Sequence, residues 1–440
     1  MTKSIEAPAA IGDGYDLADT SRRMRAILVG SAGNLIEWFD IYAYTAFAIY
    51  FAAAFFPAGD AVAQQLNAAA LFAISFLMRP IGSLIFCYMA DRHGRRMSLT
   101  LSVLLMCLGS LLIAVCPTYA SIGVWASVLL IIARLVQGLS LGGEYGASTT
   151  YLAEMAHPNR RGFYSGVWYT TLVGGQFAAV LLLFALQKLF LTPDQLKAWG
   201  WRIPFVVGAA LSVFAYVMRR DLPETVLFTQ ARQVNRDSPW VVLARNWKPA
   251  FLVVGLTVGG TSAFYTYTTY MQKFLKLSVG LNDDQTTLVV LGALTVAIIL
   301  QPIYGAISDR VGRKAMLIGF GVAGTVGTYP LLTAMHSTKS PLTAFLLYCA
   351  AWMVVSGYTS VSAIVKAELF PTAARAMGVG IPYAITAAVF GGTVDWVALT
   401  FKQNAWEEGF YLYASALIFI SLLCYLQLPN AKASRMEQAA

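Results

Sequence analysis

Charged residues are scarce in this 440-residue chain, at 12 %, whereas hydrophobic residues make up 58 % and the mean hydropathy is +0.62. Soluble domains carry about 25 % charged and about 45–50 % apolar residues. A soluble core cannot absorb this excess of apolar residues. The composition therefore indicates a polytopic membrane protein rather than a soluble enzyme or binding domain.

The sequence also lacks the residue patterns of metal sites, enzymes, channels and signal peptides. The five cysteines and three histidines show no metal-ligand spacing, so we expect neither a metal nor a cofactor. No nucleophile constellation and no selectivity-filter repeat is found, which argues against a membrane-embedded enzyme and against a channel. The first 25 residues carry four acidic residues and no apolar run before a small-residue cleavage site, so no signal peptide is expected.

Twelve apolar segments of the length needed to cross a bilayer, about 20 residues, lie between residues 26 and 428. They predict an all-α membrane protein with twelve transmembrane helices in two six-helix halves. The predicted parts are an N-terminal tail (1–25), a first half (26–218), a linker (219–248), a second half (249–428) and a C-terminal tail (429–440).

Lysine and arginine are distributed unevenly between the two sides. With a cytoplasmic N-terminus, 22 of the 31 lie in cytoplasmic segments and 7 in outer loops. This bias predicts that both termini and the linker are cytoplasmic. The net charge of +9 is thus explained by topology, and no nucleic-acid partner is expected. We expect a monomer whose partners are the lipid bilayer, a small solute and a coupling ion.

A polar stretch that runs from Asp91 to Arg96 recurs 218 residues later, from Asp309 to Lys314. A second pair of loops repeats at an offset of 214 residues, with a glutamate seven residues before an arginine in each. These repeats predict pseudo-symmetric parallel halves and a latch that closes the cytoplasmic side, with plain topology anchoring as the alternative. The candidate gate residues are Asp91, Arg92, Gly94, Arg95, Glu154, Arg161, Asp309, Arg310, Arg313, Glu368 and Arg375.

Five charged residues interrupt the apolar segments: Glu37, Asp40, Arg79, Arg134 and Glu144. Each costs about 2.5–3.5 kcal/mol near the bilayer centre, so they must face one another or a watery cavity. Asp40 and Glu37 share one helical face, and Arg134 is the expected partner of at least one of them. We expect these carboxylates, with Glu144, to couple a proton to a conformational change. The alternative is a permanent buried ion pair.

Arg79 is the predicted substrate contact, because a planar guanidinium suits a carboxylate or a phosphate. The alternative is an arginine satisfied by backbone carbonyls at the kink expected from Pro80. Gln137 is a candidate hydrogen-bonding partner of the substrate. The hydroxyl-rich seventh helix adds Tyr265 and Tyr267 to the predicted cavity lining. Lys366 is either a second carboxylate contact or a snorkelling anchor beside Glu368.

The repeated motif Gly-x-x-x-Asp-Arg-x-Gly-Arg, with Arg or Lys next, and Arg134-x-x-Gln137-Gly138 resemble the major facilitator superfamily. Its first glycine is kept as Gly305 but is Cys87 in the first copy, which puts a close helix contact there in doubt. Within that superfamily, the segments around Asp40, Arg79 and Glu144, and the stretch from Trp199 to Phe205, resemble the metabolite:H⁺ symporter family.

This resemblance implies rocker-switch uptake of a small carboxylate together with a proton. It implies a dicarboxylate, α-ketoglutarate, as the substrate, with citrate, shikimate and proline or betaine as alternatives. It also implies that Asp40 and Arg134 handle the proton and that Arg79 binds the carboxylate. The family is located in the bacterial inner membrane.

Overall fold

A computed structural model describes residues 17–56, 61–219 and 239–428. Within these ranges the chain is helical and contains no strand. The long helices, numbered in chain order, are α1 (Leu17–Phe55), α2 (Ala61–Leu77 continued by Arg79–His93), α3 (Arg95–Val115), α4 (Val124–Met155), α5 (Arg161–Ala185), α6 (Ile203–Arg219), α7 (Trp247–Tyr265, a π-turn Thr266–Tyr270 and Met271–Leu277), α8 (Asp283–Val311), α9 (Arg313–Ser337), α10 (Pro341–Glu368), α11 (Arg375–Phe390 and Val394–Gln403) and α12 (Glu407–Leu426).

Eleven helices in the described residues are long and apolar enough to cross a membrane. The twelfth long helix is α1, whose 39 residues include the predicted intramembrane charges Glu37 and Asp40. The prediction of a twelve-helix membrane protein is confirmed. Helix α1 begins at Leu17, within the predicted N-terminal tail.

Three predicted parts lie wholly or partly outside the described residues. These are the tail before residue 17, the linker from 220 to 238 and the tail after 428. The last part of the linker forms a short helix, Pro239–Arg245. Further short elements are Tyr119–Ile122, Pro158–Arg160, Leu186–Phe190, Pro193–Ala198, Gly200–Arg202 and Thr372–Ala374.

The turns that carry the repeated polar stretch are alike. Gly94, at φ 118°, separates α2 from α3, and Gly312, at φ 93°, separates α8 from α9. Only glycine adopts such backbone conformations without steric cost. The turn predicted from Gly94 therefore exists in both halves.

The two halves meet across a pseudo-two-fold seam. Helix α5 packs on α8 and α2 packs on α11, while α4 and α5 also contact α11 and α10 of the other half. Small residues line this seam. The thiol of Cys87 lies against Gly146 and Gly380, neither of which has room for a Cβ. The close helix contact placed in doubt by Cys87 is thus kept, because two glycines provide the space.

Three helices, α2, α7 and α11, are interrupted beside polar residues at the seam between the halves. Helix α2 breaks at Met78, because Pro80 lacks an amide hydrogen and its ring crowds the carbonyl of Phe76, so the second segment starts at Arg79. Helix α7 widens into its π-turn directly after Tyr265. Helix α11 stops at Phe390, and the ring of Tyr265 packs on the adjoining Gly391. Irregular turns of this kind are frequent at functional sites.

Candidate functional site

One end of the helix bundle carries both copies of the polar stretch, and we call it the motif end, defined by Asp91 and Asp309. Both carboxylate oxygens of Asp91 accept backbone hydrogen bonds from the first turn of α11, at 3.2 Å from Ala376 and 2.9 Å from Met377. Asp309 does the same to α5, at 2.8 Å and 2.9 Å. Each aspartate therefore caps a helix of the opposite half, where the helix dipole favours negative charge.

Ion pairs at the motif end repeat the same symmetry. Glu154 of α4 pairs with Arg375 of α11 at 3.0 Å, and both side chains are buried. Glu368 of α10 lies 3.5 Å from Arg161 of α5 and also contacts Arg313. The offset of 214 residues seen in the sequence relates the two inter-half pairs. The motif end is therefore closed by four links between the halves.

The remaining gate candidates are placed differently. Arg92 and Arg310 are exposed at the surface, as expected of topology anchors. The side chain of Arg95 lies outside what the structure describes. The latch prediction is thus supported for the acidic members of the motif, whereas the exposed positions of Arg92 and Arg310 agree with the alternative, plain topology anchoring.

Arg79 is buried at the seam, with 3 % of its surface exposed. Its Nη1 donates a hydrogen bond of 3.0 Å to the hydroxyl of Tyr265 in the other half. Its guanidinium lies 3.8 Å from the centre of the Phe76 ring and 5.8 Å from that of Trp38. Its Nε and Nη2 are buried and have no hydrogen-bond partner among the described residues. The backbone-carbonyl alternative for Arg79 is therefore wrong.

The unpaired atoms Nε and Nη2 lie on one edge of the guanidinium, the edge that binds a carboxylate through two parallel hydrogen bonds. Leaving buried donors unpaired costs about 1–3 kcal/mol each. The aromatic faces of Phe76 and Trp38 offset part of this cost through cation–π attraction. The arrangement is that of an anion site between the halves.

A continuous chain of hydrogen bonds starts at Asp40, and we call it the polar chain. Oδ2 of Asp40 accepts from Ser110 at 2.5 Å, and the Ser110 oxygen accepts from Nε2 of Gln137 at 2.9 Å. Oε1 of Gln137 accepts from Arg134 at 2.7 Å, and Arg134 donates to Ser75 at 3.1 Å. The polar chain links α1, α3, α4 and α2 of the first half.

The expected direct pairing of Asp40 with Arg134 is corrected by this geometry. The guanidinium of Arg134 lies 4.0 Å from the ring centre of Tyr44, and Ser110 and Gln137 fill the space between the two charges. Gln137, predicted as a substrate contact, is a member of this chain. Oδ1 of Asp40 is buried beside Gly208 of α6 and has no hydrogen-bond partner in the described part of the chain.

The other two acidic candidates lie apart from the polar chain. Glu144 accepts a hydrogen bond of 2.9 Å from Ser102, which lies about 12 Å along α3 from Ser110 at 1.5 Å per residue. Glu37 is buried one turn before Asp40 and is an electrostatic neighbour of Arg79. The structure therefore associates Glu37 with the anion site rather than with Arg134.

Tyr267 and Lys366 differ from expectation. Tyr267 lines a cavity of about 30 Å³ inside the second half, with Phe320 and Thr328, so the prediction that it faces the shared seam is corrected. Residues two positions apart point to opposite sides of a helix, and Tyr265 takes the seam side. Lys366 is 1 % exposed, which excludes the snorkelling anchor.

Sequence reasoning missed several members of the site. Ser110 and Ser75 join the charges of the polar chain, and Tyr145, Tyr358 and Tyr383 surround Lys366. The serines at 98, 102 and 110 of α3 share one helical face, and this stripe is the signal that points to Ser110. Tyr358 lies eight residues before Lys366 on α10, whereas Tyr145 and Tyr383 lie on other helices and leave no local pattern.

Two six-helix halves, an interior anion site at their seam and latches at one end define a membrane transporter fold. Residues 26–239 match the family model described as "Sugar (and other) transporter", and residues 271–439 match "Major Facilitator Superfamily". The solved proton:xylose symporter bound to 6-bromo-6-deoxy-D-glucose superposes with a TM-score of 0.77 at 17 % identity, over 94 % of this chain and 97 % of that chain.

Curated relatives specify the group further. The chain is 45 % identical to the α-ketoglutarate permease of Escherichia coli strain K12, over 93 % of this chain and 95 % of the relative. It is 32 % identical to the citrate-proton symporter of Klebsiella pneumoniae, over 93 % of both. The protein belongs to the major facilitator superfamily, as its motifs predicted. Its relatives are transporters and not enzymes.

Proposed function

We propose that this protein is a proton-coupled symporter that imports a small dicarboxylate, α-ketoglutarate, by alternating access. The observation that carries the proposal is the buried guanidinium edge of Arg79 at the seam of the halves, where two donors have no partner within residues 17–56, 61–219 and 239–428. The likeness to an α-ketoglutarate permease supports this substrate. The likeness to a citrate-proton symporter supports the proton as the coupled ion.

The orientation is part of the proposal. The motif end faces the cytoplasm, because the loops on that side of the membrane contain most of the lysine and arginine residues. The closed latches then separate the anion site from the cytoplasm in this conformation. Opening them requires Asp91 and Asp309 to leave the helices that they cap. The halves must also separate Glu154 from Arg375 and Glu368 from Arg161.

Asp40 is the proposed proton carrier. Its Oδ1 is free to take a proton, while its Oδ2 is fixed by Ser110. Protonation removes the negative charge that strengthens this hydrogen bond, so the change is transmitted through Gln137 to Arg134 and Ser75. Ser75 lies one helical turn before Arg79 on α2. The proton and the substrate therefore act on neighbouring turns of the same helix.

Uptake into proteoliposomes tests the function. Labelled α-ketoglutarate should accumulate inside only when an inward proton gradient is imposed. Accumulation that is unchanged after the gradient is collapsed would contradict proton coupling. Competition by unlabelled citrate, shikimate, proline and betaine separates the alternatives, because the preferred substrate displaces the label at the lowest concentration.

A further inference from the structure

Lys366 lies in the last turn of α10, two residues before the helix ends at Glu368, and three tyrosines surround it. Its Nζ donates hydrogen bonds of 3.1 Å to the hydroxyls of Tyr145 and Tyr358. It lies 4.7 Å from the ring centre of Tyr383 and 5.3 Å and 5.4 Å from those of Tyr145 and Tyr358. We call Lys366 and these three rings the tyrosine cage.

The cage lacks an anion. Within the described chain, Lys366 contacts phenols and no carboxylate. An ammonium group taken out of water costs several kcal/mol unless an opposite charge compensates it. Cation–π attraction from the three rings offsets only part of this cost. A structural lysine would carry this deficit permanently, whereas a binding lysine carries it only until its ligand arrives.

The cage places hydrogen-bonding groups around the ammonium of Lys366. The oxygens of Tyr145 and Tyr358 accept from Lys366, and the hydroxyl of Ser362 is a hydrogen-bond neighbour of both phenols. The ammonium group has three N–H bonds and uses two of them on these phenols. The third N–H and the phenol groups lie beside one positive charge, an environment that suits the oxygens of a carboxylate.

The cage lies close to Arg79. Gly142 of α4 packs against the backbone carbonyl of Arg79, and Tyr145 follows three residues later, about 4.5 Å along the helix axis. Tyr383 is stacked on Tyr145 at 3.5 Å between ring centres and is an electrostatic neighbour of Arg79. The two cations thus flank one aromatic region, with Arg79 from the first half and Lys366 from the second.

We infer that the tyrosine cage binds the second carboxylate of the substrate, so that Arg79 and Lys366 together select dicarboxylates over monocarboxylates and zwitterions. This inference rests on the proposed function, because it assigns Arg79 to the first carboxylate. A dicarboxylate held in this way bridges the two halves, one carboxylate on each. The bridge supplies a carboxylate to Lys366, which contacts none in the described chain, and a second one to the two unpaired donors of Arg79.

The test compares two ligands that differ only at the second carboxylate. α-Ketoglutarate and 2-oxopentanoate share the keto-acid end, and the latter has a methyl group in place of the distal carboxylate. Binding to the purified full-length protein is measured by calorimetry for the wild type, Lys366→Gln and Lys366→Arg. We expect Lys366→Gln to weaken α-ketoglutarate on the order of 30-fold, the loss expected for one partner of a buried charge pair. Binding of 2-oxopentanoate should stay unchanged, and Lys366→Arg should restore part of the loss.

Each other outcome has a definite meaning. Equal weakening of both ligands, together with a lower melting temperature of the empty protein, would show that Lys366 is structural and would overturn the inference. Unchanged α-ketoglutarate binding with loss of proton-driven accumulation would assign Lys366 to proton coupling instead. If the wild type binds neither ligand, the proposed function itself fails. If Arg79→Gln weakens both ligands while Lys366→Gln spares both, the proposed function stands and only the inference is lost.

Discussion

The latch formed by Asp91 permits a quantitative prediction. Asn in place of Asp91 keeps one acceptor for the amides of Ala376 and Met377 but removes the charge at the start of α11. A partly buried charge at a helix N-terminus contributes about 1–2 kcal/mol, and Asp91 is 8 % exposed. The open form of the motif end should therefore gain about 5- to 30-fold in population relative to the closed form, at 1.4 kcal/mol per factor of ten.

Cys87 provides the assay, since its thiol is fully buried between α2, α4 and α11 and is uncovered only when α11 separates from α2. The other cysteines, at 107, 116, 349 and 424, are first replaced by alanine in a variant that still transports. The alkylation rate of Cys87 by N-ethylmaleimide then tracks the open population when opening is fast relative to the reaction. Asp91→Asn should raise this rate by the factor given above.

Two controls test the reasoning. Asp309→Asn, which removes the symmetry-related latch on α5, should raise the Cys87 rate as well, because the halves open as units. Asp194→Asn removes a carboxylate from the first turn of an exposed helix and should leave the rate unchanged. An unaltered rate in Asp91→Asn would refute the latch, and an equal rise in all three variants would indicate general destabilisation instead.

Further predictions concern the interior site. Arg79→Lys keeps the charge but loses the two-donor edge, so the affinity for α-ketoglutarate in competition binding should fall by about 10- to 100-fold, the value of one to two charged hydrogen bonds; an unchanged affinity would remove Arg79 from the site. Asp40→Asn should abolish proton-driven accumulation in proteoliposomes while exchange of labelled for unlabelled substrate continues. Ser110→Ala breaks the polar chain and should reduce the accumulation ratio with exchange preserved; full accumulation would show that coupling bypasses Ser110. Tyr265→Phe leaves Nη1 of Arg79 unpaired and should destabilise the substrate-free protein by about 1–3 kcal/mol in thermal unfolding, with substrate restoring part of the loss.

The fold was predictable because the bilayer constrains it directly. Each crossing needs a long apolar run, and the repeated Asp91 and Asp309 stretches reveal the two halves. Helix ends were less predictable. Several helices extend beyond their apolar segments into polar residues that the structure keeps helical, as α4 does up to Met155. The break at Pro80 followed from the chemistry of proline, and it placed Arg79 at a helix start.

The interior site was only partly predictable. A charged residue inside an apolar segment is easily recognised in the sequence, which is why Asp40, Arg79 and Arg134 could be identified. Their partners could not, because a serine or tyrosine on a transmembrane helix is energetically tolerable almost anywhere. The pairing of Asp40 with Arg134 failed for this reason, since Ser110 and Gln137 lie between them.

The insertion of neutral groups between Asp40 and Arg134 has a mechanistic consequence. A direct ion pair in a low-dielectric interior would hold both charges strongly and resist protonation. With Ser110 and Gln137 between them, each bond in the polar chain is a hydrogen bond whose strength depends on the charge of Asp40. Because Arg134 also holds Ser75, one turn from Arg79, the proposed protonation of Asp40 would change the hydrogen bonds that support Arg79 without direct contact. Under the proposed roles, linkage requires the reverse as well: substrate binding at Arg79 must alter the proton affinity of Asp40 by the same factor, which is the thermodynamic requirement for symport.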